Sequence, residues 1–306
     1  MNKKLAAFAD EADGQIDGQI KAMVENQISY LEIRGVDGQN IADISISKAK
    51  EVLSKLNDNG LKVWSLGSPF GKIGINDDFE SHLDKFKKGL EIAHTLESKN
   101  IRLFSFYVPS SEAEQYKDKV FSQLQKFVEA AKGSNITLCH ENEKGIYGDI
   151  ATRCEEIHKN IPELKAIFDP ANFIQSGQNT KEAWEKLSTY VEYMHIKDAL
   201  ENGHVVPAGK GIGNLPYLLE KYKGEVLTLE PHLSVFSGFE KLEGNQKTQI
   251  DEYSYPSSRA AFDAAVNALK ELLGGKYEKK LDLELLEWET WEVDILEMFK
   301  KENVLL

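Results

Sequence analysis

The sequence has 306 residues, of which 41% are hydrophobic, and its 50 acidic and 37 basic side chains give a formal net charge of -13. This hydrophobic content is too high for a disordered chain, and the length suits a single α/β barrel. The negative charge repels phosphate backbones, so we expect no nucleic acid among the partners.

Short runs of apolar, β-branched or aromatic residues recur along the chain, and each is followed by a longer stretch. In order, the runs are Leu5–Ala9, Tyr30–Ile33, Lys62–Leu66, Ile101–Val108, Ile136–His140, Ala166–Phe168, Tyr193–Ile196 and Val226–Leu229. Their spacing of about 25 to 40 residues fits a strand followed by a crossover helix. The pattern therefore predicts eight parallel strands.

Amphipathic helices are predicted after several of these runs. The clearest are Gln15–Asn26, Ser47–Asn57, Phe79–Leu96, Lys119–Ala131 and Arg259–Leu273. The second is followed by Asn59-Gly60, a pair typical of a helix C-terminus. Because strand and helix alternate without a break in composition, we predict an α/β fold in which residues 1–275 form a single (β/α)₈ TIM barrel. An open, doubly wound sheet is the alternative, but the first turn lacks the glycines of a dinucleotide-binding sheet.

Two segments lie outside this repeat. Pro231–Ser258 is long for a connection between a strand and a helix, and we expect it to act as a lid. Residues 276–306 are predicted to form a C-terminal helical extension, because apolar side chains recur there at near-helical spacing. These side chains are Leu281, Leu285, Trp288, Ile295 and Phe299. The extension is expected to pack on the barrel or against a second subunit, which leaves a homo-oligomer open.

The expected compartment is the cytoplasm. Cys139 and Cys154 are the only cysteines, too few for a disulfide framework. The first apolar run stops at Asp10, before it reaches the length of a secretory signal. No stretch approaches the roughly 18 apolar residues of a membrane span, so no membrane partner is expected.

Acidic and histidine side chains stand where the last four predicted strands end. They are Glu141, Asp169, His195 and Glu230, one for each strand. In a parallel barrel these ends share one rim, so the four side chains are expected to meet. Three carboxylates near an apolar core repel one another unless a cation joins them. One imidazole and three carboxylates suit one divalent ion, Mn²⁺, Zn²⁺, Co²⁺ or Mg²⁺, with positions left open for substrate oxygens.

The residues around these four positions resemble the xylose-isomerase-like superfamily. The matching strings are Cys139-His140-Glu141-Asn142, Phe168-Asp169-Pro170-Ala171-Asn172, His195-Ile196-Lys197-Asp198 and Leu229-Glu230-Pro231-His232. The resemblance runs from about Leu5 to Leu273 and is strongest to the sugar phosphate isomerase/epimerase branch, alongside ketose 3-epimerases and inosose dehydratases. It implies that the four strand-end residues are metal ligands, and that Glu141 and Glu230 also serve as acid and base.

The implied activity is that of a metal-dependent isomerase or epimerase of a small sugar, sugar acid or cyclitol. The two glutamates would transfer a proton through a metal-stabilised enediolate. If a hydroxyl leaves instead, the same site is a lyase of the inosose-dehydratase kind. One departure bears on this choice, because Asn172 stands where ketose 3-epimerases often carry a histidine, and an amide cannot act as a general acid.

Two further alternatives remain. A hydrolase resembling endonuclease IV shares the barrel but needs a histidine-rich site for three metals and a cationic groove. Of the seven histidines, His82, His94 and His158 fall on predicted helices and are expected at the surface, which argues against it. A non-catalytic barrel that only binds a ligand is disfavoured by the complete set of four strand-end residues.

Other polar residues near the strand ends are candidates for substrate binding. They are Glu32, Lys72, His140, Asn142, Asn172, Lys197, His204, Lys210 and His232. Strand alternation leaves open whether His140 faces the interior or has a structural role, and it gives Lys197 the same facing as His195. The glycines between Gly203 and Gly213 are a weak phosphate signal, and a plain loop is favoured there.

Overall fold

Eight parallel strands close into a barrel in the computed structural model, which describes residues 2–235 and 253–278. The strands are β1 Lys4–Ala7, β2 Tyr30–Ile33, β3 Lys62–Phe70, β4 Asn100–Leu103, β5 Thr137–Glu141, β6 Lys165–Phe168, β7 Val191–Ile196 and β8 Val226–Leu229. Each strand pairs with the next along the chain, and β8 closes the barrel on β1, with Lys4 opposite Val226. The predicted (β/α)₈ barrel is confirmed.

Helices surround the strands. The described residues include α1 Ile16–Glu25, α2 Ile46–Asp58, α3 Phe79–Thr95, α4 Ala113–Ala131, α5 Ala151–Asn160, α6 Pro170–Gln175, α7 Thr180–Leu187, α8 Leu215–Lys221 and α9 Ser258–Leu273. Ser45 and Ser257 precede α2 and α9, and each side chain accepts a hydrogen bond from a first-turn N–H, which favours a helix start. Gly60 follows α2 with a φ of 62°, the left-handed conformation expected at this helix end.

Shorter elements lie in the loops. Two antiparallel pairs join Gly35–Val36 with Gln39–Asn40 and Asp198–Ala199 with Val205–Val206. Single 3₁₀ turns occur at Ala9–Glu11, Ile41–Asp43, Ser110–Glu112 and Tyr147–Asp149. The first antiparallel pair and the first 3₁₀ turn follow β2 and β1 directly, so they shape the rim at the carboxyl ends of these strands.

The core has two parts because successive side chains of a strand face opposite sides of the sheet. Inside the barrel, a buried cluster includes Ala6, Cys139, Ile167, Tyr193 and Val226. A larger cluster fills the space between the strands and the outer helices. The barrel interior is thus packed with side chains, and chemistry is expected at the rim where the strands end.

Several sequence predictions concern parts of the chain that the structure covers unevenly. The helical extension at residues 276–306 lies almost wholly outside the described residues, and so does the middle of the lid predicted at Pro231–Ser258.

Cys139 and Cys154 are buried free thiols, so neither forms a disulfide. Among the described helices, none combines the length and the apolar character that crossing a membrane requires.

Candidate active site

Four side chains converge where β5 to β8 end. Glu141 is the last residue of β5, His195 is the last but one of β7, and Asp169 and Glu230 directly follow β6 and β8. One donor atom of each lies within 4.8 Å of those of the other three, and all four residues are buried. We call this group the ligand cluster. Parallel neighbouring strands bring it together because their carboxyl ends share one rim.

The imidazole of His195 is held from two sides by carboxylates. Its Nδ1 lies 3.0 Å from Glu141 Oε1 and 3.5 Å from Glu230 Oε2. Its Nε2 lies 3.0 Å from Glu32 Oε2, and the Tyr193 hydroxyl donates to Glu32 Oε1 at 2.9 Å. Nδ1 therefore faces the ligand cluster while Nε2 faces an outer carboxylate, the arrangement that orients metal-binding histidines.

The charges of the cluster shift pKa values in opposite directions. Burial would lower the pKa of His195, but the carboxylates of Glu141 and Glu32 outweigh it and hold this pKa well above its usual value. Burial would raise the pKa of Glu141, but His195 and Arg102 lower it to about 2. Burial raises the pKa of Asp169 to about 7. A divalent cation among these groups would favour the ionised form of Asp169.

Two buried cations contact the cluster directly. Lys197 Nζ lies 2.8 Å from both Asp169 Oδ2 and Glu230 Oε2. Arg102 Nη1 lies 3.0 Å from Glu141 Oε2 and 3.8 Å from Glu230 Oε1. These contacts favour the ionised forms of Glu141 and Glu230, whose pKa values lie below their usual range, and removing either cation would leave buried negative charge uncompensated.

A cavity of about 540 Å³ opens above the ligand cluster. The described residues that line it are Arg34, Lys72, Arg102, Glu141, Glu143, Lys144, Gly145, Asn172, Gln175, Lys197, Glu230 and His232. Four of the predicted substrate contacts are thus at the cavity, namely Lys72, Asn172, Lys197 and His232. Asn172 Nδ2 donates to Glu141 Oε1 at 3.2 Å, so its amide lies beside a cluster carboxylate.

Three other predicted contacts lie away from the cavity. Glu32 is fully buried beneath His195, and its role is corrected to that of a partner for the imidazole. His140 faces the outer helices, because its ring lies 5.8 Å from that of His158 on α5. Asn142 makes two hydrogen bonds of 2.9 Å with the backbone of Asp169, so it positions the loop after β6.

The loop after β7 does not contribute to the cavity either. His204 and Lys210 are absent from its described lining, and Lys210 is exposed. The backbone N–H groups of Gly209, Gly211 and Gly213 donate to the Asp198 carboxylate at 2.9, 3.1 and 2.8 Å. Because these donors are used internally, the glycine spacing reflects an Asp-organised loop and not a phosphate cradle.

His158 also corrects the sequence analysis. A surface position was expected on its helix, but only 1% of the residue is exposed. Its ring stacks on Tyr190 at a centroid distance of 5.3 Å, and burial lowers its pKa to about 4. His158 therefore belongs to the packing between α5 and the barrel.

Two arginines at the cavity escaped the sequence analysis. Arg34 directly follows β2, where its Nε lies 2.8 Å from Asp10 Oδ2 and its Nη2 lies 3.2 Å from Glu11 Oε1. Arg102 lies within β4 and is 4% exposed. The usable signal was a charged residue inside or directly after an apolar run, the same signal that identified the ligand cluster.

The ligand cluster fits one divalent ion. Bonds of about 2.0 to 2.2 Å to such an ion place two donor atoms at most about 4.4 Å apart. The four donor atoms all lie within 4.8 Å of one another, so small side-chain movements would bring them to this spacing. The cluster offers three carboxylates and the Nδ1 atom of one imidazole, a mixed oxygen and nitrogen set that suits Mn²⁺, Zn²⁺, Co²⁺ or Mg²⁺.

A second group of possible metal ligands already surrounds the guanidinium of Arg34. Glu11, Glu230 and His232 also bring donor atoms within 4.8 Å of one another. The guanidinium of Arg34 lies among them, with Nη2 3.2 Å from Glu11 Oε1 and Nη1 3.6 Å from Glu230 Oε1. Because this guanidinium supplies the positive charge there, the geometry favours a single ion at the ligand cluster.

Solved structures of other proteins share the fold. The probable 3-DHS dehydratase AsbF from Bacillus anthracis superposes with a TM-score of 0.68 at 16% identity, covering 88% of this chain and 98% of that one. The IOLI protein with a zinc atom gives 0.69 at 15% identity, covering 90% and 99%. D-Psicose 3-epimerase with D-tagatose from Clostridium cellulolyticum gives 0.64 at 13% identity, covering 90% and 100%.

Sequence comparison assigns the family more directly. No curated protein gives a significant match. The family described as xylose isomerase-like TIM barrel matches residues 20–232, which include all of β2 to β8 and the complete ligand cluster. The chain therefore belongs to the xylose isomerase-like TIM barrel family.

Proposed function

We propose that the protein is a divalent-metal-dependent isomerase or epimerase of a small sugar, sugar acid or cyclitol. The observation that carries this proposal is the ligand cluster, in which Glu141, Asp169, His195 and Glu230 meet beside an open cavity. A bound divalent ion supplies Lewis-acid polarisation of a substrate carbonyl. The similar structure named as a D-psicose 3-epimerase supports this reaction class, whereas the probable 3-DHS dehydratase supports the second candidate below.

The two glutamates of the ligand cluster serve as acid and base in this proposal. Glu141 and Glu230 reach the cavity from β5 and β8, so one, as a carboxylate, removes a proton from a substrate carbon and the other, in its protonated form, delivers its own proton. Return to the opposite face of the same carbon gives an epimer, and return to the adjacent carbon gives an isomer. Asn172 donates to Glu141 and restricts this carboxylate, while Lys197 holds Glu230.

Dehydration is the second candidate, and one observation favours it. Lys197 Nζ lies in the cavity 2.8 Å from Glu230 Oε2, where it could donate a hydrogen bond to a leaving hydroxyl. Epimerisation needs no such donor beyond the two glutamates. The two reactions differ in their products, because only dehydration lowers the substrate mass by one water.

The first experiment measures metal content and proton exchange. We expect about one Mn, Zn or Co per wild-type chain by elemental analysis, and loss of this metal in the Glu141→Ala/Glu230→Ala double variant. The matched control is Glu163→Ala/Glu182→Ala, which removes two exposed carboxylates. Metal-loaded wild type should then incorporate deuterium from D₂O into at least one member of a panel of ketoses, inososes, sugar acids and sugar phosphates. Absence of metal from reconstituted wild type would contradict the proposal.

A further inference from the structure

The part of the cavity wall that comes from β2 to β4 is cationic. Arg34 follows β2, Lys72 lies in the loop after β3, and Arg102 lies within β4. Phe8 and Phe104 separate these cations. The Phe8 ring centroid is 4.7 Å from Arg34 Cζ and 4.9 Å from Arg102 Cζ, and the Phe104 centroid is 5.1 Å from Arg102 Cζ and 4.2 Å from Lys72 Nζ. Alternating rings and cations thus hold this wall in a fixed order.

Lys144 extends the wall beyond β5. It lines the same cavity, is exposed, and has no carboxylate within ion-pairing distance among residues 2–235 and 253–278. We define the cationic wall as Arg34, Lys72, Arg102 and Lys144. The buried Nε of Arg102 also has no hydrogen-bond partner among the described residues, so this N–H is available to a bound ligand.

The lining of the cavity is richer in cations than the protein as a whole. It has five Arg or Lys side chains against three Glu among the described residues, although the whole chain has a net charge of -13. The carboxylates of Asp10, Glu11 and Asp169, just outside this lining, pair with Arg34 and Lys197 and offset the excess, whereas a divalent ion at the ligand cluster would restore it. A neutral sugar makes no use of such a surplus, whereas an anionic ligand would be attracted through complementary potential.

We infer that the cationic wall binds a carboxylate or phosphate group of the substrate while the rest of the molecule lies against the ligand cluster. The substrate class is therefore an acidic sugar or cyclitol derivative and not a neutral one. This inference rests on the proposed function for the identity of the sugar-like part. The wall itself requires only the contacts of Arg34, Lys72, Arg102 and Lys144.

The test compares each anionic ligand with a neutral ligand of the same carbon chain. Calorimetric titrations of the protein use D-gluconate against sorbitol, and D-fructose 6-phosphate against D-fructose. The anionic member of at least one pair should bind roughly 10- to 100-fold more tightly, as expected for hydrogen bonds to charged groups. The pair that shows the preference identifies the carboxylate or the phosphate as the bound group. Equal affinities within both pairs would overturn the inference.

Variants assign the preference to the wall. Lys144→Gln should reduce it about 10-fold, as should Lys72→Gln combined with Glu143→Gln, which removes an ion pair with a 2.7 Å contact without changing net charge. Lys132→Gln, an exposed lysine outside the cavity lining, is the matched control and should retain the preference. An equal preference in all three variants would refute the assignment.

Repeating the titrations after metal removal separates this inference from the proposed function. The cationic wall is present without the ion, so a weaker preference for the anion should remain in chelator-treated protein. Metal binding and deuterium incorporation with no preference for anions would reject the inference alone. An anion preference in a protein that never binds metal would reject the proposed function alone.

Discussion

The ligand cluster at β5 to β8 and the cationic wall, most of it at β2 to β4, line a single cavity and meet where Arg102 contacts Glu141. The ligand cluster contains three carboxylates and one imidazole, with one donor atom from each within 4.8 Å of the others. The cationic wall spreads its charges between aromatic rings, at ring distances of 4.2 to 5.1 Å. A compact acidic set suits one small ion, whereas a dispersed basic set suits the larger surface of an anionic group. The two proposals therefore assign the ion to one half of the rim and the anionic group of the substrate to the other.

The largest expected effect is loss of metal from the ligand cluster. Asp169→Asn should weaken metal binding by more than the roughly 10- to 100-fold that removal of an outer partner costs, because a direct ligand is lost. Chelator competition measures the affinity, and circular dichroism checks the fold. Glu143→Gln is the matched control, since Glu143 lines the cavity outside the ligand cluster. An unchanged metal affinity in Asp169→Asn would show that Asp169 is not a metal ligand.

The next effect links the two halves through Arg102. Arg102→Met leaves the buried Glu141 without its closest arginine, so the free energy of unfolding should fall by about 3 to 5 kcal/mol in metal-free protein. The loss should be smaller with Mn²⁺ bound, because the ion compensates the same carboxylate. Urea denaturation with Mn²⁺ and with chelator measures both values.

A partly exposed arginine provides the control for this variant. Arg259 pairs with Glu25 and Asp263 at the surface, so Arg259→Met should cost no more than about 1 kcal/mol. If Arg102→Met and Arg259→Met destabilise the metal-free protein equally, then Arg102 does not stabilise the charge of the ligand cluster.

A smaller effect is expected from the outer partner of the imidazole. Glu32→Gln removes the carboxylate 3.0 Å from His195 Nε2 and should weaken metal binding roughly 10- to 100-fold. Ser65→Ala is the control, because it removes the other partner of the Tyr193 hydroxyl without touching His195. Competition with a chelator again provides the affinity, and equal values for the two variants would exclude this role for Glu32.

The smallest effect concerns the pH dependence of stability. Burial raises the pKa of Glu11, beside Arg34, from 4.5 to about 7. The folded state therefore binds an extra proton between these values, and this stabilisation is complete below pH 4.5 and is lost as the pH rises through about 7. Glu11→Gln should remove about 1.4 kcal/mol per pH unit from the slope of unfolding free energy across this window. Parallel slopes for wild type and variant would contradict the shifted pKa.

The sequence allowed the barrel and the acidic half of its rim to be predicted. All eight apolar runs overlap observed strands, because burial on both faces leaves a hydrophobic signal that needs no tertiary information. The run at Ile101–Val108 shows the limit of this signal. Its strand ends at Leu103, and Phe106 has a φ of 64°, so the later apolar residues pack in a loop that the pattern resembles.

The cationic wall was harder to predict, although most of its residues also lie within or shortly after predicted strands. Lys72 was identified as a possible contact, but Arg34 and Arg102 were not, because basic residues near apolar runs are commonly solvated. Only the closed barrel brings Arg102 to Glu141, which lies 39 residues later. His158 was misplaced for a related reason, since its burial depends on packing against Tyr190 and His140. These positions depend on long-range neighbours that periodicity does not specify.

Trp64 gives this architecture an optical consequence. Its indole ring lies 5.7 Å from the ring of Tyr193, whose hydroxyl donates to Glu32, and Glu32 in turn contacts His195. Three successive contacts thus connect the His195 imidazole to Trp64, so a change of charge at the imidazole is expected to alter the fluorescence of this indole. Trp184, the other tryptophan of the described residues, packs on the outer side of the barrel. The fluorescence of Trp64, identified as the difference between wild type and Trp64→Phe, therefore provides a label-free signal for changes at His195.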